Sequence, residues 1–257
     1  MTSLLETRSV IEITGNDRLS FIQNLVTNDI DSKEQYQYAM MLSPGGRFLF
    51  DLFILKESDR LILDISQSTQ SLLMDKLELY TINQDVEITE VKAKVYYSRQ
   101  RLNNSYKDPR HKDLGYRLLT NDNILEDDNS YIEDKYRYSI PDGGIDLLFD
   151  KAMPQEYGAE EMGAISYSKG CYVGQEVISR TKHQGQVRKK IYSIKAEADL
   201  SSFKHSTPIM QNENKVGIFL SGYMGEGIAL IREINFNGLE ASIDNMPITL
   251  KQAIWYS

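Results

Sequence analysis

The residues whose types and spacing are best suited to a chemical role form the block Lys169–Glu176, which reads KGCYVGQE. This block places the only cysteine of the chain, Cys171, between two glycines. The residues after Gly174 are typical of the start of a helix, so Cys171 is expected just before a helix N-terminus and beside Lys169. Both neighbours favour the thiolate over a free thiol, whose pKa is about 8.5. Such a thiol can be a nucleophile, a redox handle or one ligand of a shared metal. The alternative is a buried structural cysteine, which is common where a protein has one.

The cysteine count limits what this thiol can do. A single cysteine excludes an intramolecular disulfide and fits a reducing compartment. Zinc and iron–sulfur sites take four ligands, mostly cysteine and histidine. The histidines His111, His183 and His205 show no ligand spacing. His183 is the only one near Cys171 in sequence, and nothing fixes a Cys–His geometry. Any cluster that touches this protein must therefore be completed by another molecule.

Composition narrows the class of protein. The 257 residues are 41% hydrophobic and 26% charged, as in an ordinary globular protein, and the formal net charge of -8 argues against a general binder of nucleic acid or anionic membrane. No stretch reaches the roughly 18 apolar residues of a membrane span. The first residues resemble neither a signal peptide nor an arginine-rich transit peptide, which predicts a cytoplasmic protein. A basic cluster after the motif is either a solvated surface or an anion site; it comprises Arg180, Lys182, Arg188, Lys189 and Lys190.

Hydrophobic periodicity predicts the elements that must position these residues. Strands are expected over 8–13, 38–42, 47–55, 61–65, 86–88 and 91–97, with helices near 19–26 and 68–80. Short loops between 47 and 97 favour an α+β sandwich over a doubly wound sheet. The stretch 101–134 is polar, with an exposed loop expected at 126–128. Beyond residue 190, short apolar runs separated by Gly, Asn and Pro predict a small barrel or sandwich. Phosphate-loop, dinucleotide and zinc-protease motifs are absent from the sequence.

The block Lys169–Glu176 resembles the signature of a known family. KGCYVGQE is the signature of the YgfZ-type family, which includes the mitochondrial iron–sulfur assembly factors of the same group. Other blocks that resemble the family occur in the expected order and extend over nearly the whole chain. These are Ile13–Asn24 with Thr27–Asp29, Leu42–Arg47 with Asp51, Asp108–Arg110 with Leu114–Arg117, Pro154 with Glu156, and Arg180–Arg188.

The family is similar in fold to the aminomethyltransferase (T-protein) of the glycine cleavage system. The resemblance therefore implies an α+β protein with a T-protein-like folate-binding body of two α+β units and a small C-terminal β-barrel. The body is expected over residues 1–187, as two interleaved subdomains with one near 47–100, and the barrel over residues 188–257. Tetrahydrofolate is expected in a central hole of the body.

The resemblance also implies site residues. The expected folate contacts are Asp51, Arg117, Glu156, Lys169, Tyr172, Gln175, Glu176 and Arg180. Where the T-protein has paired aspartates this sequence has Phe50 and Asp51, so one of the two carboxylates for general acid–base work is missing. The alternative for Asp51 is a polar residue on the wet face of a strand, and for Arg117 a surface charge.

The function that the resemblance implies is the assembly or repair of iron–sulfur clusters in target enzymes. Cys171 would be the functional thiol, or a metal ligand only together with ligands from a partner. The implied partners are an A-type scaffold protein and cluster enzymes, with a transient shared cluster and an indirect effect on tRNA modification. No direct contact with nucleic acid or membrane is expected, and an accessory factor is favoured over an enzyme. The alternative is a folate-dependent aminomethyl or one-carbon transferase, and a pure folate-binding module is a third possibility.

Overall fold

The computed structural model describes residues 2–124 and 129–256, so the loop expected at 126–128 lies outside the described residues. Three antiparallel sheets, four α-helices and three short 3-10 helices make up this part of the chain. The α-helices are α1 (Arg18–Gln23), α2 (Gln70–Glu78), α3 (Ser130–Arg137) and α4 (Gln175–Gln184). The strands of the body are β1 (Ser3–Leu4), β2 (Arg8–Thr14), β3 (Tyr36–Leu42), β4 (Phe48–Lys56), β5 (Leu61–Ser66), β6 (Glu87–Val91), β7 (Lys94–Ser98), β8 (Tyr106–Lys107) and β9 (Tyr116–Thr120). Those of the barrel are β10 (Lys189–Lys195), β11 (Pro208–Gln211), β12 (Asn214–Tyr223), β13 (Glu226–Arg232), β14 (Glu240–Ile243) and β15 (Met246–Gln252).

The first sheet has the strand order β3-β4-β5-β2-β6. Helices α1 and α2 pack on one face through residues such as Ile22 and Leu73, and a second hydrophobic cluster covers the other face. Strand β4 is consequently buried along almost its whole length, which explains why its sequence is apolar without alternation. The predicted strands and helices of this region are confirmed, with shifts of a few residues at their ends.

The second sheet has the order β1-β7-β9-β8, and two of its strands, β8 and β9, lie in the stretch 101–134 that the sequence presents as merely polar. Helix α3 contacts β7 on one side and strands β12 and β13 of the barrel on the other. This stretch carries buried charges, including Arg110 and Arg117, at positions where a core normally has apolar side chains. Charged core residues remove the hydrophobic pattern from which strands are recognised, so the prediction missed β8, β9 and α3.

The C-terminal strands close into a six-stranded barrel in the order β10-β13-β12-β11-β14-β15. The prediction of a barrel is confirmed, although β11 did not stand out as an apolar run. The end of the chain returns to the body, where the indole of Trp255 donates to the Tyr138 carbonyl at 2.9 Å and covers Gly158. A side chain at position 158 would occupy the space of that ring. Within the described part of the chain, no helix has the length and apolar character needed to cross a bilayer.

A buried ion cluster joins the two sheets. The Asp64 carboxylate of β5 accepts from Arg8 Nε of β2 at 2.7 Å and from Arg117 Nη2 of β9 at 2.6 Å. Arg8 also donates to both Asp51 oxygens at 3.1 Å. A second group continues from Arg117 at 3.4 Å and contains Asp108, Arg110, Asp142, Lys135 and Asp146. Every one of these charges therefore has a partner of opposite sign.

The ring of Phe53 lies beneath the cationic side of the cluster. The guanidinium carbon of Arg117 is 3.9 Å from the ring centroid, that of Arg110 4.8 Å and that of Arg8 5.1 Å. Burial opposes ionisation of Asp108, yet the guanidiniums of Arg110 and Arg117 outweigh it, so the pKa of Asp108 falls below its ordinary value. Asp108 is thus held in its charged form by the guanidiniums around it.

The substitution Arg117→Met is expected to destabilise the protein by about 3–5 kcal/mol, because it leaves the buried Asp64 and Asp108 carboxylates with fewer donors. Arg60→Met is the matched control, since Arg60 is 41% exposed and pairs with Glu12 and Glu57 at the surface. That control should change the free energy of unfolding by about 0–1 kcal/mol. Urea unfolding at pH 7 measures both, and equal losses would show that the cluster does not hold the fold.

Candidate functional site

Cys171 is exposed on a loop that begins after the segment 159–165 and ends at helix α4. The N-cap of α4 is Gly174, whose φ of 86° lies in the left-handed region. A Cβ at Gly174 would be 2.7 Å from the carbonyl oxygen of Ser43 in the β3–β4 turn. In the same turn, Gly46 has a φ of 70°, and a Cβ added to it would be 2.8 Å from the Cβ of Val177. The helix start is confirmed, and the two glycine-containing blocks of the sequence pack directly on each other.

The motif lysine points into the protein. Lys169 Nζ donates to the carbonyl oxygens of Gln23, Val26 and Asn28 at 2.6, 2.7 and 2.8 Å. These carbonyls lie at the end of α1 and just beyond it, where a helix leaves acceptors unpaired. Burial lowers the pKa of Lys169 to about 8, although Asp29 and Asp31 oppose this shift. The expectation that Lys169 serves the thiol as a free neighbouring cation is therefore not supported by its hydrogen bonds.

The Thr27–Asp29 block fixes the start of the same loop. The Thr27 hydroxyl donates to the Ala164 carbonyl at 2.6 Å, and the Ser166 amide donates to the Thr27 carbonyl at 3.0 Å. The Asn28 amide group donates to Gly163 and to the β3 residue Tyr38, both at 2.9 Å. Residues far apart in sequence are thus assembled around the loop that carries Cys171.

A separate cavity of about 600 Å³ opens between the two sheets. Its volume lies in the range of small-molecule pockets, roughly 300–1,000 Å³. Glu6, an exposed residue of the N-terminal segment, lines this cavity and an adjoining one of about 400 Å³. Cys171 is not among the lining residues of either. The larger cavity is lined by Glu6, Thr7, Arg8, Phe53, Ser66, Gln67, Ser68, Arg117, Tyr131, Asp142, Gly143, Gly144 and Ile145.

Two of the expected folate contacts lie at this cavity. Arg117 lines it, and Asp51 lies behind its wall, bonded to Arg8 and so close to Gly143 that a Cβ there would be 2.5 Å from the carboxylate. Both side chains are 1% exposed. The alternatives of a wet strand face for Asp51 and a surface charge for Arg117 are therefore wrong.

The other expected contacts lie elsewhere. Glu156 is in the short helix Pro154–Tyr157 beside the barrel, and its carboxylate accepts from Lys189 at 3.1 Å. Tyr172 is buried in the core next to Lys169, and Gln175, Glu176 and Arg180 belong to α4. The expected folate residues are thus distributed over the cavity, the Cys171 loop, helix α4 and the segment beside the barrel, and Asp51 and Glu156 do not lie together in one pocket.

The basic cluster is largely neutralised. Lys182 pairs with Glu160, Lys189 pairs with Glu156 and Lys190 pairs with Glu233. In the part of the chain that the structure describes, Arg180 and Arg188 form no ion pair. Residues 2–124 and 129–256 contain no group of three or more His, Cys, Asp or Glu side chains that could hold a metal ion.

Sequence reasoning missed most of the cavity wall. Arg8 was predicted only as a strand position, and no site role was predicted for Glu6, Ser66 or Ser68. One signal was available: a charged residue inside an otherwise apolar strand, such as Asp64 within LILDIS, indicates a buried and paired charge.

These geometries define a two-sheet body with a central cavity and an attached barrel, and comparison with solved structures gives the same class of fold. The chain superposes on the crystal structure of the glycine cleavage system aminomethyltransferase T from Bartonella henselae with a TM-score of 0.74. The alignment covers 98% of this chain and 84% of that one at 11% identity. The predicted T-protein-like fold is therefore confirmed. The barrel, residues 188–257, matches the family model of the CAF17 C-terminal beta-barrel domain.

Similar sequences are named as iron–sulfur cluster assembly factors. The mouse mitochondrial factor IBA57 is 26% identical over 91% of this chain and 78% of its own length, and the human factor is 27% identical over 88% and 76%. The homologue from Mycosarcoma maydis is 28% identical over 73% of this chain, which spans 55% of that protein. The likeness is thus to factors named IBA57, related to the YgfZ type that the motif indicated.

The prediction of a cytoplasmic protein is contradicted by these comparisons, because the relatives are named as mitochondrial. The prediction rested on the residue types of the first few positions. Those residue types do not decide the compartment.

The two glycines that flank Cys171 are expected to respond differently to alanine. Gly174→Ala should cost about 1–3 kcal/mol, because a left-handed φ is combined with backbone contact. Gly170→Ala is the control: no atom lies within 4 Å of its would-be Cβ and its φ is not in the left-handed region, so the change should be within about 0.5 kcal/mol. Urea unfolding of both variants measures the difference. Similar losses would mean that Gly174 does not need its left-handed conformation.

Proposed function

We propose that this protein is an accessory factor in the assembly of iron–sulfur clusters and that it acts through Cys171. The observation that carries the proposal is the placement of the only thiol: it is exposed, while its neighbours Lys169 and Tyr172 are buried and hold the loop. The printed names of the mouse, human and fungal relatives support the role in cluster assembly. A binding role is favoured over catalysis, since the relatives are named as assembly factors.

The single thiol makes a partner part of the proposal. An iron–sulfur cluster is usually held by four protein ligands, mostly thiolates, and this chain supplies one thiol. The remaining ligands must come from another protein, and an A-type scaffold with its own cysteines is the partner that we propose. The cluster is cargo in this scheme: Cys171 would contribute one iron–sulfur bond during its transfer to a target enzyme. An effect on tRNA modification would follow only through a cluster enzyme that performs it.

The exchange Cys171→Ala in cells is expected to reduce the activity of cluster-containing enzymes to the level of a deletion, because the shared cluster loses its ligand from this protein. The purified variant should unfold at the wild-type midpoint, since the side chain is exposed. Ser168→Ala is a control on the same loop, since Ser168 is exposed and the change leaves the thiol in place. Wild-type enzyme activities in the Cys171→Ala strain would reject the proposal.

Tetrahydrofolate is the ligand that we propose for the cavity between the sheets. The volume of about 600 Å³ and the wall of hydroxyl, guanidinium and aromatic groups suit a flat polar ring system. A carboxylate of the lining can contact the ligand only where it is not already bound to other residues, and the two carboxylates of the lining differ in this respect. The Asp142 side chain accepts from Arg110, Tyr131 and Lys135, whereas Glu6 faces the cavity and makes no hydrogen bond or ion pair within the described residues. Arg117 and Glu6 are accordingly the polar contacts that we propose, and Glu156 is not one of them.

Tetrahydrofolate should bind the purified wild-type protein, and Ser68→Trp should weaken binding by about tenfold or more, since an indole at this exposed position fills the mouth of the cavity. Ser58→Trp, exposed and remote from the lining, is the matched control. Isothermal titration calorimetry gives both dissociation constants. If the two tryptophan variants bind alike, the ligand does not occupy this cavity.

An aminomethyl or one-carbon transferase is the second candidate, and the superposition on aminomethyltransferase T favours it. Against it stands the state of Asp51, whose two oxygens are held by Arg8 and which lies behind the wall rather than in the cavity. A general base needs a free oxygen within hydrogen-bond reach of the reacting nitrogen. Adding an aminomethyl donor to the folate-loaded protein separates the candidates, because only a transferase would form methylenetetrahydrofolate repeatedly.

A further inference from the structure

The side chain of Lys169 has no hydrogen-bonding capacity left for a ligand. An ammonium group has three donors, and the three carbonyls of Gln23, Val26 and Asn28 accept at 2.6–2.8 Å. The residue is 8% exposed. This arrangement differs from a folate or thiol contact, which would leave at least one donor directed toward the cavity or toward Cys171.

The loop around Cys171 has few other attachments. Within residues 168–172, the buried side chains are those of Lys169 and Tyr172, and the half-buried Tyr167 and Val173 pack against the core at the two ends. Tyr172 is buried by packing, and Lys169 Nζ lies 5.2 Å from its ring centroid, so the two anchors support each other. Gly170, by contrast, has open space around it. The thiol therefore lies on a short bridge with a fixed point on each side.

Lys169 constrains the loop more precisely than Tyr172 does. Apolar packing of Tyr172 has no preferred direction, whereas three charge-assisted hydrogen bonds from one nitrogen fix a single position of the Lys169 side chain. Their acceptors belong to the Gln23–Asn28 segment, which is itself tied to Gly163, Ala164 and Ser166 at the start of the loop. The ammonium and these contacts together attach Lys169 and the start of the Cys171 loop to the same segment at the end of α1.

We propose that Lys169 is the positioning residue of Cys171: its ammonium fastens the loop to the carbonyls at the end of α1 and so holds the thiol in one orientation for a shared cluster. The purpose of this orientation rests on the proposed function. The fastening itself does not, and it can be tested on the protein alone.

The native thiol allows a direct test, because a thiol-specific nitroxide reagent labels the wild-type protein at Cys171 only. In the wild type the label should give a broadened spectrum typical of an ordered backbone. Lys169→Gln, which is neutral and too short to reach all three carbonyls, should shorten the rotational correlation time of the label by about threefold or more, into the range of loop motions. Lys169→Arg keeps charge and donors and should give an intermediate spectrum. Lys182→Gln is the matched control, since that lysine pairs with Glu160 on the surface of α4.

Circular dichroism and the thermal midpoint establish that each labelled variant is folded at the temperature of the measurement. A folded Lys169→Gln protein with the wild-type spectrum would overturn the proposal. If neither Lys169 variant folds, the lysine is required for stability as a whole, and the specific positioning role is rejected as well.

A second readout separates this inference from the proposed function. With the unlabelled protein and an A-type scaffold, the cluster absorbance formed per protein should fall in Lys169→Gln and be retained in Lys182→Gln. If Cys171→Ala leaves cluster enzymes active in cells while the label on Lys169→Gln is mobile, the proposed function fails and the positioning role stands. The reverse pair of results would reject the positioning role alone.

Discussion

Charges enclosed between two β-sheets remain there only when each finds a partner, and this requirement shapes the centre of the protein. Desolvation of an unpaired ion costs more than the fold gains from any single contact. Asp64 satisfies it by accepting from both Arg8 and Arg117, which belong to different sheets. The two sheets consequently cannot slide relative to each other without breaking a buried ion pair. The aromatic face of Phe53 adds an attraction for the three guanidiniums that an aliphatic side chain would not supply.

The same cluster explains the character of the cavity. Its wall contains charged groups because three residues of the cluster, Arg8, Arg117 and Asp142, also border the open space between the sheets. These groups are already satisfied, so a ligand meets a surface of fixed dipoles and few free charges. Glu6 stands apart, since it lies at the edge on the N-terminal segment. Recognition at this cavity is thus expected to depend on shape, on that carboxylate and on Arg117.

The thiol belongs to a different part of the molecule. It lies outside the cavity lining, on a loop held by α1, by the β3–β4 turn and by the start of α4. The separation fits a protein in which a small molecule and a partner protein approach different surfaces. It also accounts for the division of the signature residues: Lys169, Tyr172 and Gly174 build the loop, and Cys171 is the one presented to the outside.

The sequence by itself determined the features that depend on local chemistry. Apolar alternation in β2, the helix start after Gly174, the barrel beyond residue 187 and the singular thiol could all be predicted, because each is encoded within a few neighbouring residues. The tertiary structure alone decided what the charged residues do. Arg117 and Asp51 are each bound to other charges of the buried cluster, and Lys169 binds carbonyls about 140 positions away in the chain, contacts that no sequence pattern indicated. The physical reason is that a charge takes whichever partner the fold brings within hydrogen-bond distance, and spacing along the chain does not contain that information.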